Sequence, residues 1–300
     1  MRRALAAISL LCCLRAGAQS PVWAVHGAHN TVYLAESVHL LKSDQSALPP
    51  AFDRAYAAAS TIVMELDLSH IDTDTMQAWM LQHGLLPGET TLRDAVGEDV
   101  YQRAAAETTR LGLPIETLQR FEPWVVALML TDLEYLKLGY DPEQGVERQI
   151  EREAERDGKP IRGLETLDEE LGQLEHLTPD QQSRFLDLTV EEMRDAGHDT
   201  DDLLAAWRAG DTRKLAELLA GDYQTFPELY RALVTDRNAR WMPQIEGFLT
   251  GSHDYLVIVG ALHLVGPGGL LELARHDGLT VTPVLAAEPS GAGAGGSSRP

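Results

Sequence analysis

The chain is predicted to fold as an α/β domain. A central mixed sheet is built from its N- and C-terminal segments, with a large helical insertion over about residues 72–250. Three observations predict it. Short apolar runs bounded by turn residues cluster at residues 22–66 and 255–284. The stretch between them is mostly helical in pattern. The runs Thr61-Ile62-Val63-Met64 and Tyr255-Leu256-Val257-Ile258-Val259 are continuously apolar, as strands buried on both faces are.

Residues 22–27 and 30–35 read as a hairpin turning at Gly27-Ala28-His29-Asn30. Pro49-Pro50 opens a helix over 51–60, and 61–66 is a third strand ending in a polar residue. Asp72-Thr73-Asp74-Thr75 caps a helix running through Trp79. Thr90-Thr91-Leu92-Arg93 and Ile115-Glu116-Thr117 open others. Pro123-Trp124-Val125-Val126 starts an apolar helix with proline in the first turn, where its missing N–H does no harm. Residues 144–157 form an amphipathic, highly charged helix, and 160–165 a short strand ending in Glu165. The pattern is helical from Thr178 to Trp241, with one helix over 227–248 carrying Arg237, Asn238 and Trp241. After the strand at 255–259, Gly266-Pro267-Gly268-Gly269 turns into a helix over 270–276. Residues 281–284 make an edge strand, because Pro283 cannot donate to a ladder.

The ends lie outside this domain, which runs from 19 to 287. Met1-Arg2-Arg3, an apolar stretch from Ala4 to Leu14 and the small residues Ala16-Gly17-Ala18 follow the pattern of a secretory signal peptide over 1–18. The expectation is an exported protein, periplasmic or secreted. Both cysteines, Cys12 and Cys13, fall in that segment, so the mature chain would carry neither disulfide nor thiolate metal site. Residues 288–300 are Gly, Ala, Ser and Pro with one glutamate and one arginine, and read as a disordered tail. A formal charge of −21 argues against nucleic-acid binding, which needs a basic face. No segment is long and apolar enough for an integral membrane span.

Chemistry enters at the strand ends. His39 and His263 each follow an apolar run and precede Leu and a further apolar residue, and Glu65 and Glu165 also close strands. Polar groups at the ends of buried strands are where a sheet presents chemistry to solvent. Two imidazoles plus carboxylates with an open position describe a hydrolytic divalent-metal site. A metal there would activate water and polarise a carbonyl, and a spare carboxylate would act as general base. The other eight histidines read as loop or surface residues, and the acidic runs 151–157 and 168–170 as solvated helix faces.

Over residues 22–285 the chain resembles the TraB/GumN family, whose animal relatives are the Tiki metalloproteases. The resemblance is carried by Val32-Tyr33-Leu34…Ser37-Val38-His39, Ile62-Val63-Met64-Glu65-Leu66-Asp67, Pro123-Trp124 and Gly163-Leu164-Glu165-Thr166. Arg237-Asn238…Trp241 and Val259-Gly260-Ala261-Leu262-His263 complete it. It implies a split α/β fold with paired Gly-x-x-His motifs and a manganese- or cobalt-dependent peptidase site with acidic partners; zinc is the third choice. By position, the metal ligands are His39 and His263, and the acidic partners are Glu65 and Glu165. Arg237 and Asn238 match an Arg-Asn pair that would orient substrate or an oxyanion. One departure is Glu36, which stands where the family has glycine. Glutamate there crowds the site, adds a metal ligand beside His39 and His263, or marks lost activity. A smaller departure is Gly145-Val146-Glu147, where relatives tend to have Gly-Val-Asp.

The leading expectation is an exported metal-dependent hydrolase, a peptidase acting on a peptide or protein substrate. A non-catalytic periplasmic protein binding a peptide or small ligand on the same fold is the alternative. Haem or metal-ion binding through the same histidine pair is the third reading.

Overall fold

The computed structural model describes residues 19–67, 71, 73–193, 196–223 and 226–285, with the side chains of 220–223 left aside. The signal-peptide reading of 1–18, the tail reading of 288–300 and the cap at Asp72 lie outside the described residues.

The expected N-terminal hairpin is present as β1 (Val22–His26) and β2 (Thr31–Ser37), antiparallel with Ala24 opposite Tyr33. A two-residue strand β3 (Leu41–Lys42), helix α1 (Pro50–Ala58) and strand β4 (Thr61–Met64) follow. The first part of the insertion holds α2 (Thr73–His83), α3 (Leu92–Leu111) and α4 (Pro123–Lys137). It continues with β5 (Tyr140–Asp141), α5 (Val146–Asp157) and β6 (Ile161–Gly163). The second part holds α6 (Leu167–Glu175), α7 (Pro179–Glu192), α8 (Ala196–Ala209) and α9 (Thr212–Tyr223). It closes with α10 (Pro227–Tyr230) and α11 (Asp236–Phe248). The chain then returns through β7 (Tyr255–Gly260), the one-turn α12 (Ala261–Leu264), α13 (Leu270–His276) and β8 (Thr280–Pro283).

The six-stranded sheet runs β6-β4-β7-β2-β1-β8. Neighbours from β6 through β4 and β7 to β2 are parallel, while β1 and β8 add antiparallel. Every residue of β4 and β7 is buried, which is why these strands, Thr61 apart, are continuously apolar rather than alternating. Pro283 lies in β8 on the outer edge, as its missing N–H requires. The four parallel strands put their carboxyl ends along one edge, where open α/β sheets bind ligands. The insertion makes its own core, where Leu92 and Val96 of α3, Leu130 of α4, and Leu186 and Val190 of α7 pack together.

Three sequence expectations need correcting. Ile115-Glu116-Thr117 opens only a single 3-10 turn, Ile115–Leu118, because Pro114 precedes it and Pro123 must start α4. The charged helix begins at Val146, with Gln144 held in a separate turn, Pro142–Gln144. The helix expected over 227–248 is interrupted by a π-helical turn at Arg231–Thr235. The small β3–β5 pair had no periodicity from which to be read.

Candidate functional site

The site lies at the carboxyl edge of the parallel strands. Glu65 follows β4, Glu165 follows β6, His39 follows β2 and His263 lies on α12 just after β7. The ends of β4 and β6 stay zipped beyond the strands, with the Glu165 N–H donating to the Glu65 carbonyl at 3.0 Å, so the two glutamates are adjacent. From the opposite side α11 presents Arg237, Asn238 and Trp241 on one face, at helical spacing.

Arg237 is the hub. Its Nε donates to Glu165 Oε1 at 2.9 Å and its Nη2 to Glu65 Oε2 at 2.6 Å, with a further Nη2 bond to Glu165. Glu170 Oε1 lies 3.7 Å from the same Nη2. Nη1 donates to the Leu233 carbonyl at 3.2 Å and faces His263 Nε2 at 3.2 Å. The guanidinium also lies 4.7 Å over the Trp241 ring, whose Nε1 donates to Glu165 Oε2.

The tautomer of His263 follows from its neighbours. Asn238 Nδ2 donates to the carbonyls of His263 and Gly268 at 3.0 and 2.9 Å, so Asn238 Oδ1 is an acceptor. His263 Nδ1, 2.8 Å from that oxygen, therefore carries the hydrogen, and the Nε2 lone pair points at Arg237. Burial, aided by the charges of Arg237 and His39 against that of Glu65, lowers the His263 pKa to about 4, so the ring is neutral.

His39 is anchored in the same way by a different residue. Its Nδ1 lies 2.8 Å from Glu147 Oε1, which also accepts from Ser37 Oγ at 2.5 Å. Glu147 raises the His39 pKa although the ring is largely open to solvent. Glu147 is in place because Gly145 lets the start of α5 press on the β2 exit. A Cβ on Gly145 would come 2.2 Å from the His39 carbonyl oxygen, and the Val146 N–H donates to the Val38 carbonyl. Gly145→Ala is expected to cost about 1–3 kcal/mol, a Tm drop of about 2–10 °C by differential scanning calorimetry. An unchanged Tm would mean that this docking does not constrain the fold.

The remaining carboxyls are split by environment. Burial pushes Glu65 up, but His263 when protonated, Arg237, His39 and the Gly260 N–H at 2.6 Å pull it down further, so it stays ionised. Burial and the Glu65 charge push Glu170 up to about 7. Carboxyls with separated pKa values are the pattern of an acid–base site.

Three of these groups, Glu65, His39 and His263, meet over Gly260. A Cβ there would come 3.3 Å from Glu65 Oε1, 3.5 Å from His39 Nε2 and 3.7 Å from His263 Cδ2. The bare glycine thus leaves a cradle lined by two imidazoles and a carboxylate. That donor set suits a divalent cation of the manganese–cobalt–zinc type. Among the described residues, Glu65, Glu165 and Glu170 also bring carboxylate oxygens within 4.8 Å of one another, but Arg237 ties all three.

Of the expected site residues, His39, Glu65, Glu165, Arg237, Asn238 and His263 are brought together. Glu36 is not. It neighbours Ser37, which faces Glu147, and successive strand residues face opposite ways. Its side chain is fully buried near Trp23, away from the cradle. Two residues outside the expected set belong to the site, Glu147 and Glu170. The run 168–170 was expected to be solvated, yet Glu170 turns inward. The only sequence hint of Glu147 was the departure at Gly145-Val146-Glu147.

The chain is 25% identical over 243 residues, 81% of its length and 87% of theirs, to an uncharacterized protein, YbaP, of Escherichia coli strain K12 and of Shigella flexneri. No solved structure matches it. The profile described as the TraB/PrgY/gumN family matches residues 21–283, and the chain belongs to that family.

Proposed function

We propose that the chain is an exported, metal-dependent hydrolase acting on peptides. The observation that carries the reading is the convergence of His39, His263 and Glu65 on the bare face of Gly260. Those three would hold a divalent cation, manganese or cobalt before zinc. Such a cation lowers the pKa of a bound water and polarises a carbonyl. Glu147 and Asn238 fix the two imidazoles through Nδ1, so that each ring turns its Nε2 toward the site. Glu170, near pH 7 in its pKa, takes and returns a proton at neutrality. Glu165 holds Arg237 in register. A peptide target is supported by the resemblance of the histidine motifs to those of the Tiki metalloproteases. Export is supported by the pattern of residues 1–18.

The test is metal content of the purified mature protein and of His263→Ala, by inductively coupled plasma mass spectrometry after addition of manganese, cobalt or zinc. About one metal per chain, lost in the variant, is expected. No metal in either protein would overturn the reading. It would favour a non-catalytic binding protein, for which the existing observation is that Arg237 already pairs with Glu65 and Glu165.

Gly260→Ala is a sharper probe, because φ −50° and ψ 139° suit alanine and only the cradle is filled. Metal occupancy is expected to fall roughly tenfold or more with Tm nearly unchanged. Full occupancy in that variant would place the cation elsewhere.

A further inference from the structure

Arg237 poses a problem for a cation site, because it is itself a cation at the site's centre. Its guanidinium takes the His263 Nε2 lone pair at 3.2 Å and a Glu65 oxygen at 2.6 Å. The nitrogen is a donor assigned to the metal, and the oxygen, Oε2, belongs to the carboxylate whose other oxygen, Oε1, faces Gly260. The side chain is buried, so no solvent screens this overlap. Yet Arg237 also has a second set of partners, which the metal would not use. Nε and Nη2 bond Glu165, Nη2 has Glu170 at 3.7 Å, and Nη1 bonds the Leu233 carbonyl in the π-helical turn. Such a turn just ahead of α11 marks a place where helix geometry has yielded to a site.

We infer that Arg237 is a resident counter-cation: it competes with divalent metal for the Glu65–His263 seat, and metal entry shifts its guanidinium onto Glu165 and Glu170. This rests on the metal reading proposed above and adds to it. It makes apparent metal affinity the difference between two cations in one place. It also lets the chain fold with Glu65 and Glu165 paired to a cation before any metal arrives.

The test is Co²⁺ binding by isothermal titration calorimetry to the whole mature chain, beside Arg237→Met and Arg237→Lys. Lysine keeps a positive charge, so it supports folding should the methionine variant fail. A single ammonium cannot span His263, Glu65 and Glu165 together. Both variants are expected to bind Co²⁺ more tightly than the wild type, the methionine variant by about tenfold or more. In the wild-type chain, the Arg237 Nε–H nuclear magnetic resonance signal is expected to shift in step with Zn²⁺ occupancy. Wild-type binding with equal or weaker affinity in the variants, or an Arg237 signal indifferent to Zn²⁺, would overturn the competition and leave the metal site standing. No Co²⁺ binding by any of the three would overturn both.

Discussion

Glu36→Gln is expected to stabilise the folded protein by about 3 kcal/mol at pH 7, by about 1 kcal/mol at pH 5 and by about 4.5 kcal/mol at pH 8.5. Glu36 lies on β2, an inner strand of the sheet, fully buried, and among the described residues no group completes a hydrogen bond to either carboxylate oxygen, the Trp23 indole lying near but unbonded. Burial pushes its pKa from 4.5 up to about 8, and the Trp23 indole opposes this less strongly. The unfolded chain therefore gives up this proton near pH 4.5, while the folded chain keeps it until about pH 8. A raised folded-state pKa contributes stability that is intact below pH 4.5 and is lost as pH rises to about 8, after which the loss is complete. Each unit of pH inside the window is worth about 1.4 kcal/mol. Glutamine fills the same volume and has no proton to lose. Urea denaturation of both proteins at the three pH values would read the difference directly. Parallel stability-against-pH curves for the two proteins would show that Glu36 is not held neutral by the fold.

The same residue shows where sequence reading stops. The strands were legible because β4 and β7 are continuously apolar, and buried parallel strands must be. Helix starts were legible where Thr91 caps α3 with Asp94 three positions on and where Pro123 fills the first turn of α4. The four site residues at strand ends stood out as polar groups closing apolar runs. Glu36 looked like a fifth only because it occupies the family's glycine position. The two-residue alternation of β2 already placed it on the other face from Ser37. Glu147 and Glu170 could not be read. Each lies among charged neighbours of the same pattern, half-buried Arg148 beside Glu147 and exposed Glu169 beside Glu170, and only tertiary docking turns it inward. For Glu147 that docking is the close approach of Gly145 to the His39 carbonyl. For Glu170 it is the guanidinium of Arg237, from a helix on the far side of the insertion. The π-helical turn before Arg237 is likewise invisible to a pattern search, because 227–248 has the periodicity of one helix.

Arg237→Met is expected to destabilise the metal-free protein by about 3–5 kcal/mol, the usual consequence of removing one member of a buried ion pair. The loss does not measure what the pair contributes. It measures what Glu65 and Glu165 cost once they are left buried and uncompensated, since both are largely sealed from water. Glu170 adds less to that cost, because its raised pKa lets it hold a proton. Removing a carboxylate as well should therefore restore stability. Arg237→Met combined with Glu165→Met is expected to recover at least half of the loss, although the Trp241 N–H then loses its acceptor. The coupling in the double-mutant cycle should be at least about 1 kcal/mol. Chemical denaturation of the wild type, both single variants and the double variant, all stripped of metal by chelation, supplies the four corners. Strict additivity would mean that the guanidinium is not what keeps the carboxylates tolerable in the fold. Saturating Mn²⁺ gives an independent arm, because a ligand that binds only the folded state stabilises it. If the two cations are alternatives for the Glu65–His263 seat, Mn²⁺ should raise the stability of Arg237→Met by more than it raises that of the wild type.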